Sequence, residues 1–131
     1  WKIGAGAFSQ RSGAGCGSTY RAPTLSATDP VVGQRMTLWG RSAPARAAGF
    51  VLMGPRGPVR RFGDCHVCLA LARSFVLGGF RPTSGDWRVG LLLPPDPGLV
   101  GVRAMTQALF TPGGTARGWE ITGAVELVFG R

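Results

Sequence analysis

The sequence predicts an all-β protein, a β-sandwich of about eight or nine short antiparallel strands in an immunoglobulin-like or jelly-roll-like arrangement. Glycine and proline are frequent, at 22 and 10 of 131 residues, yet 44% of the residues are hydrophobic, a combination that suits short strands joined by tight turns. Short apolar runs alternate with period two between turn residues, and no long segment has the helical period.

The longest predicted strand follows a proline-rich corner. Three prolines lie within residues 94–97, where they exclude a helix, and Gly98 and Gly101 allow the dihedral angles of a sharp turn. We expect Asp96 to cap backbone N–H groups in this turn. The residues after it alternate between two faces: Val102, Ala104, Thr106, Ala108 and Phe110 on the first, and Arg103, Met105, Gln107 and Leu109 on the second.

The first of these faces is expected to point into the core. Met105 and Leu109 make the second face too apolar for open solvent, so we expect another segment or another subunit to cover it. A short amphipathic helix over residues 100–109 is the alternative interpretation of this stretch.

The other elements follow in chain order. The predicted strands are 23–27, 35–39, 48–53, 65–71, 75–80, 87–91, 119–122 and 124–129. Residues 65–71 are apolar on both faces and predict a central strand. Two segments predict irregular structure instead: a Gly/Ser-rich linker at residues 9–18 and a basic loop at residues 56–63.

The N-terminal residues 1–12 are predicted to form an arm or an edge strand ahead of a single sandwich domain at 13–131. Trp1, Ile3, Ala5 and Ala7 alternate as in a strand. Because the sequence begins at Trp1 and not at methionine, we expect an exported protein, extracellular or periplasmic, whose signal has been removed. No apolar window is long enough to predict a transmembrane helix.

Three cysteines are the most suggestive residues chemically. A disulfide between Cys16 and Cys65, with Cys68 as a free thiol, is the favoured interpretation; it adds about 3–4 kcal/mol in the chain-entropy model and fits an oxidising compartment. Zinc held by the three cysteines and His66 is an alternative, as is a redox pair formed by Cys65 and Cys68. The metal interpretation lacks a second ligand pair, and the redox interpretation lacks a strand–helix context.

Positive charge is spread along the chain. The net charge is +9, Lys2 is the only lysine, and the one local cluster is Arg56, Arg60 and Arg61, which we take as the candidate anion-binding residues. Nucleic-acid binders concentrate charge and interleave aromatic residues, so the scatter argues against that class. Two functional interpretations of the charge remain, an acidic partner and an anionic glycan. The non-functional explanation is a coding bias toward arginine. Trp1, Trp39 or Trp119 would serve as a sugar-stacking platform.

Catalytic and cofactor-binding patterns are weak. The six acidic residues form no close pair in the sequence, and His66, the sole histidine, lies on a strand predicted to be buried. The glycine-rich runs match no phosphate-binding fingerprint. We therefore expect no enzymatic activity, no cofactor and no metal.

Several short motifs together resemble an uncharacterised small β-sandwich module found in secreted multidomain bacterial proteins. The motifs are Gly-Cys-Gly-Ser at residues 15–18, a Pro-x-Asp-Pro-x-Leu-x-Gly-like turn at residues 94–101, and Gln107-Ala108. The resemblance covers about residues 13 to 129, implies a disulfide between Cys16 and Cys65, and carries no catalytic residues. Cys68, the extra arginines and residues 1–12 depart from the module.

These observations predict a non-catalytic structural or interaction protein, a subunit of a larger extracellular or periplasmic homo- or hetero-oligomer. The predicted partner-binding residues are Trp1, Ile3, Met105 and Leu109. The alternative is a binding module for an anionic glycan or surface polymer.

Overall fold

The computed structural model describes residues 6–12, 23–62, 65–112 and 118–131, and within them the protein is all-β. Eleven strands are present: β1 (Phe8–Arg11), β2 (Ser26–Ala27), β3 (Arg35–Gly40), β4 (Ala48–Gly54), β5 (Arg56–Phe62), β6 (Cys65–Leu69), β7 (Phe75–Phe80), β8 (Trp87–Leu92), β9 (Arg103–Thr111), β10 (Glu120–Ile121) and β11 (Val125–Val128). The same ranges contain two single-turn 3₁₀ helices, which span Leu71–Arg73 and Pro97–Leu99. No helix in these ranges has the length and apolarity needed to cross a membrane.

A six-stranded antiparallel sheet forms the centre of the protein. Its order is β1-β11-β9-β4-β7, and β10 also pairs with β9. Strand β9 pairs through residues 105–111 with the whole of β4 on one side, and with β11 and β10 in turn on the other. Met105, Thr106, Gln107 and Ala108 are almost completely buried. Both faces of β9 are therefore covered.

A three-stranded sheet, β2-β3-β8, packs on one face of the central sheet, and the two form a sandwich. The core between them includes Leu25, Met36, Leu38, Val51, Met53, Trp87, Leu93, Ala108, Phe110, Val125, Leu127 and Phe129. Trp87 stacks on Phe80 with the ring centroids 4.6 Å apart and meets Phe110 edge-on at 5.9 Å. The all-β sandwich is thus as predicted, and the two additional strands are β1 and β5.

The opposite face of the central sheet is covered by the hairpin β5-β6. The second core contains Cys65, Val67, Cys68, Leu69, Met105, Ile121 and Ala124, with Leu52, Phe62, Leu109 and Trp119 packed against it. Met105 is 1% exposed. The second face of β9 is therefore covered by another segment of the same chain, which is one of the two alternatives that the sequence predicted.

The hairpin corrects two predictions. Residues 56–62 are a strand and not the predicted basic loop; their side chains are mostly exposed, so they lack the apolar alternation by which strands are recognised. Cys65–Leu69 is a buried strand, but it belongs to a two-stranded outer layer. Its apolar character comes from packing on the central sheet and not from a central place within a sheet.

The proline-rich corner forms the predicted turn, and its one departure from the prediction is the single-turn 3₁₀ helix Pro97–Leu99, which begins at a proline. The side chain of Asp96 accepts a hydrogen bond of 2.9 Å from the backbone N–H of Gly98, and Gly101 has φ of +86°. Gly101 donates to the carbonyl of Phe129 at 2.7 Å, and Phe129 donates to that of Val102 at 3.0 Å. These two hydrogen bonds connect the corner to Phe129. Residues 103–111 form strand β9, so the alternative helix over residues 100–109 is wrong.

Strand β1 lies at one edge of the central sheet, paired with β11. The Ser9 hydroxyl donates to the carbonyl of Ala27 at 2.8 Å, and the Ser9 backbone N–H donates to the Asp29 carboxylate at 3.1 Å. Residues 9–11 are therefore strand and not the predicted linker. This position agrees with the edge strand predicted within residues 1–12, but the local sequence did not identify its partner, because β11 lies over a hundred residues away. The predicted contacts of Trp1 and Ile3 lie outside the described residues.

Candidate functional site

The outer face of the three-stranded sheet carries an exposed tryptophan among arginines. In β3, Met36, Leu38 and Gly40 are buried, so that Trp39 points outward and is 38% exposed. The register places Trp39 opposite Arg88 of β8 on one side and Ser26 of β2 on the other. The indole therefore lies in the middle of this face.

Two open depressions flank Trp39. The larger, about 440 Å³, is lined by Trp39, Gly40, Arg41, Arg81, Thr83, Asp86, Trp87 and Arg88. The smaller, about 310 Å³, is lined by Arg11, Thr24, Ser26, Trp39, Gly40 and Arg41. Their linings share Trp39, Gly40 and Arg41. We call the residues Arg11, Trp39, Arg41, Arg81 and Arg88 the anion face.

Local geometry holds Arg41 beside Trp39. The backbone N–H of Arg41 donates to the Thr24 hydroxyl at 2.9 Å, and its carbonyl accepts from the Thr24 N–H at 2.9 Å. Arg11 of β1 reaches the hydroxyl of Ser26 at 3.5 Å. The anion face is thus assembled from two sheets and the turn before β8.

The charge on the anion face is uncompensated. Arg41, Arg81 and Arg88 are exposed, and no ion pair within the described ranges uses any of them. Asp86 is the only carboxylate among the described residues of the two linings. Four guanidinium groups around one indole suit a ligand that carries anionic groups and a flat or ring-shaped body.

The arginines predicted from the sequence lie elsewhere. Arg56 makes an ion pair of 3.5 Å with Glu126 and donates to the Ser12 hydroxyl at 2.8 Å. Arg60 and Arg61 are exposed on β5, and as neighbours in a strand they point to opposite faces of the hairpin. The structure therefore does not bring the three together into one anion-binding pocket.

The predicted partner surface on β9 is wrong at Met105, which is buried beneath the hairpin and is not available to another subunit. Leu109 is half-buried against the same core and lines an open apolar depression of about 340 Å³, so its predicted contact with a partner stays a prediction. Trp119, one of the candidate stacking platforms, meets Phe62 edge-on at 5.7 Å and also packs on this core. Of the three candidate platforms, Trp1 lies outside the described residues and Trp39 remains.

The cysteine pair of β6 has two different states. Cys65 is 1% exposed and disulfide-bonded, whereas Cys68 is a buried free thiol. Burial raises the pKa of the Cys68 thiol, and the nearby Arg56 partly opposes that effect. Cys16 lies outside the described residues, so its pairing with Cys65 stays a prediction. Within those residues no three metal-ligating side chains cluster.

We expect one thiol to react when the oxidised protein is unfolded and alkylated without reduction, and we expect this thiol to be Cys68. In the folded protein it should react much more slowly than a free cysteine, because it is buried and burial raises its pKa, which disfavours the reactive thiolate. Mass spectrometry of the intact and digested protein measures both. Three reactive thiols in the unfolded, unreduced protein would contradict the bridge; Cys68→Ser is the matched control for the site of labelling.

Comparison with protein-family models, with curated proteins and with solved structures finds no match to this chain. The functional argument therefore depends on the site geometry.

Proposed function

We propose that this protein is a non-catalytic binding domain that takes an anionic polymer, an acidic glycan or a similar surface polymer, on the anion face. The observation that carries the proposal is the exposed Trp39 between two depressions lined by Arg11, Arg41, Arg81 and Arg88. An indole stacks on the apolar face of a sugar ring, and guanidinium groups pair with carboxylates or sulfates in a fixed fork.

The dimensions of the face favour a chain over a single small ion. Neighbouring strands lie about 4.8 Å apart, so the three strands span about 10 Å, the length of roughly two sugar rings. The two depressions lie on either side of the indole, so a linear ligand is able to place an anionic group in each while one ring covers Trp39. Both depressions are open, as binding to the middle of a polymer requires.

A binding role is favoured over catalysis by the composition of the linings. Hydrolysis of a glycosidic bond ordinarily uses a pair of carboxyl groups, whereas the described residues that line the two depressions include one carboxylate, Asp86. No histidine or cysteine is present in either lining within the described part of the chain. An exported, oxidising location belongs to the proposal, and the disulfide-bonded state of Cys65 supports it.

The double substitution Arg41→Ala/Arg88→Ala is expected to weaken binding of a sulfated or uronate polysaccharide at least tenfold, because two guanidinium contacts are lost. Trp39→Ala should reduce affinity by a further factor of about five to ten through lost stacking. Isothermal titration calorimetry with heparin and with polygalacturonate measures this, with neutral dextran as the ligand control. Affinity should also fall as salt is added.

The matched control is Arg60→Ala/Arg61→Ala, which removes the same charge from the hairpin on the other side of the central sheet. We expect it to retain affinity within about twofold. If this control loses as much affinity as Arg41→Ala/Arg88→Ala, binding follows net charge and the proposed face is wrong. Equal or tighter binding of single-stranded DNA would refute the glycan as the ligand class.

Association with other subunits is the second candidate function. One observation favours it: the central sheet keeps an edge strand, β7, that exposes Phe75 and Val76. Size-exclusion chromatography with light scattering at several concentrations tests self-association directly.

A further inference from the structure

The two edges of the central sheet differ. At one edge, the backbone of β1 is tied to the second sheet through Ser9, whose N–H donates to Asp29 and whose hydroxyl donates to the carbonyl of Ala27. At the other edge, β7 pairs with β4 alone, and no strand in the described part of the chain pairs with its outer side. Strand β7 therefore presents backbone donors and acceptors to the outside.

Strand β7 lacks most of the features that protect sheet edges. Edge strands are usually guarded by charged side chains, by proline or by a covering segment. Residues 75–80 contain no charge and no proline, and Phe75 and Val76 are each 56% exposed. The one irregularity is a register shift opposite Val51 and Leu52, which leaves Phe75–Val76 and Gly78–Phe80 as short regular segments. An apolar edge of this kind suits an added strand.

Arginines stand at both ends of this edge. Arg73 precedes β7 by two residues and Arg81 follows it directly; both are exposed, and neither makes an ion pair within the described ranges. A segment that lies along β7 therefore meets an uncharged middle of six residues with a positive charge at either end.

We propose that the outer edge of β7 binds an extended peptide segment by strand addition, and that this segment has an apolar or small middle flanked by an acidic residue at each end. Main-chain hydrogen bonds supply the affinity in this mode, and side chains and charges supply the selectivity. The two arginines complement the acidic ends.

A second copy of the chain fits this edge less well. An antiparallel pair of β7 strands centred on Leu77 places Arg73 of each copy opposite Arg81 of the other, and like charges directly opposite each other destabilise a sheet. Each copy also carries a net charge of +9, so the two repel at long range. The charge pattern therefore favours a separate, acidic segment.

The test uses a synthetic eight-residue peptide of alternating valine and threonine with an aspartate at each end, titrated into the full chain. We expect backbone NMR shifts concentrated in residues 75–80 and their neighbours. N-methylation of the peptide at alternate amide positions is decisive: one alternate set should abolish the shifts, because those N–H groups face β7, and the other set should leave them unchanged.

Reversing the charges at Arg73 and Arg81 tests whether these residues bind the charged ends of the peptide. Arg73→Glu/Arg81→Glu should weaken the aspartate-ended peptide at least fivefold and tighten a lysine-ended peptide by a similar factor. Arg60→Glu/Arg61→Glu, with the same change in net charge, should alter neither affinity by more than about twofold. Arg73 lies outside the anion face, so Arg73→Glu alone should weaken the peptide while heparin binding persists, which separates this proposal from the proposed function.

Three results would overturn the inference. The first is equal loss of binding for both N-methylated peptides, the second is an unchanged preference after the charge exchange, and the third is a stable dimer that excludes the peptide. Shifts confined to the anion face would also refute it, since they would show the peptide acting as a simple polyanion.

Discussion

Replacing Gln107 with leucine is expected to lower the free energy of unfolding by about 3–5 kcal/mol, a large part of the stability of a domain of this size. Gln107 is completely buried in β9 and points toward the hairpin. Its Oε1 accepts from the backbone N–H of Cys68 at 2.8 Å, and its Nε2 donates to the carbonyls of His66 at 3.0 Å and Thr122 at 2.8 Å.

The free energy of unfolding falls because leucine leaves buried backbone groups without their hydrogen-bond partner. Leucine has a similar volume but no polar atoms, so three buried bonds are lost and the desolvated Cys68 N–H loses its acceptor, at about 1–3 kcal/mol for each unsatisfied group. Because His66 belongs to the hairpin and Thr122 follows β10, the one side chain connects two segments to β9. We expect the hairpin to loosen first.

Urea unfolding of the oxidised protein measures the effect, and Gln10→Leu is the matched control. Gln10 is an exposed residue in edge strand β1, so its replacement should change stability by less than about 0.5 kcal/mol. Equal midpoints for the two variants would show that the Gln107 bonds contribute nothing net.

The pH dependence of the stability of Gln107→Glu provides a further test. A buried glutamate facing the carbonyls of His66 and Thr122 is favoured in its protonated form, so its pKa in the folded protein should lie above the unfolded value. The variant should then be least destabilised below the unfolded pKa and lose stability as the pH rises through the folded pKa. A variant whose deficit is the same at all pH values would contradict this.

Gly40→Ala is expected to destabilise the protein by about 3 kcal/mol or more and to weaken ligand binding on the anion face. A Cβ at this position would overlap the backbone carbonyl oxygen of Thr24 and lie 2.5 Å from Nε1 of Trp87. The carbonyl belongs to the main chain beside β2, and Trp87 is 5% exposed in the core, so neither neighbour has room to retreat. Overpacking of this kind costs about 1–3 kcal/mol even where side chains alone must shift.

The matched control for Gly40→Ala is Gly78→Ala. Gly78 also lies in a strand, and a Cβ there would meet no atom within 4 Å. Its replacement should leave stability within about 0.5 kcal/mol of the parent. Urea midpoints and heparin titrations of the two variants are compared directly; if Gly40→Ala binds heparin with unchanged affinity, the site does not depend on the close approach of β2 and β3.

Local chemistry made the proline corner and strand β9 predictable. The prolines between residues 94 and 97 restrict their own backbone, Asp96 bonds to a residue two positions away, and Gly101 takes a positive φ that glycine tolerates. The strands with clear alternation, such as β3 and β8, were predictable for the same reason. Their patterns report one buried and one exposed face without knowledge of the partner strands.

The sites were less predictable, because they depend on residues far apart in the chain. Trp39 and Arg41 are two positions apart and Arg88 lies on an outward position of β8, so alternation alone signals that each is exposed. Only the pairing of β3 with β8 places Trp39 opposite Arg88. The closeness of Arg60 and Arg61 in the sequence predicted a charge cluster, but a strand directs neighbouring side chains to opposite faces.

By itself, the sequence determined the all-β class, the turns and the inward faces of most strands, because these follow from proline and glycine geometry and from side-chain alternation within a few residues. Tertiary structure alone decided what covers Met105, that residues 56–62 become a strand, and which arginines surround Trp39. Each of these depends on strand pairing and packing between distant segments, which alternation within a single segment does not encode.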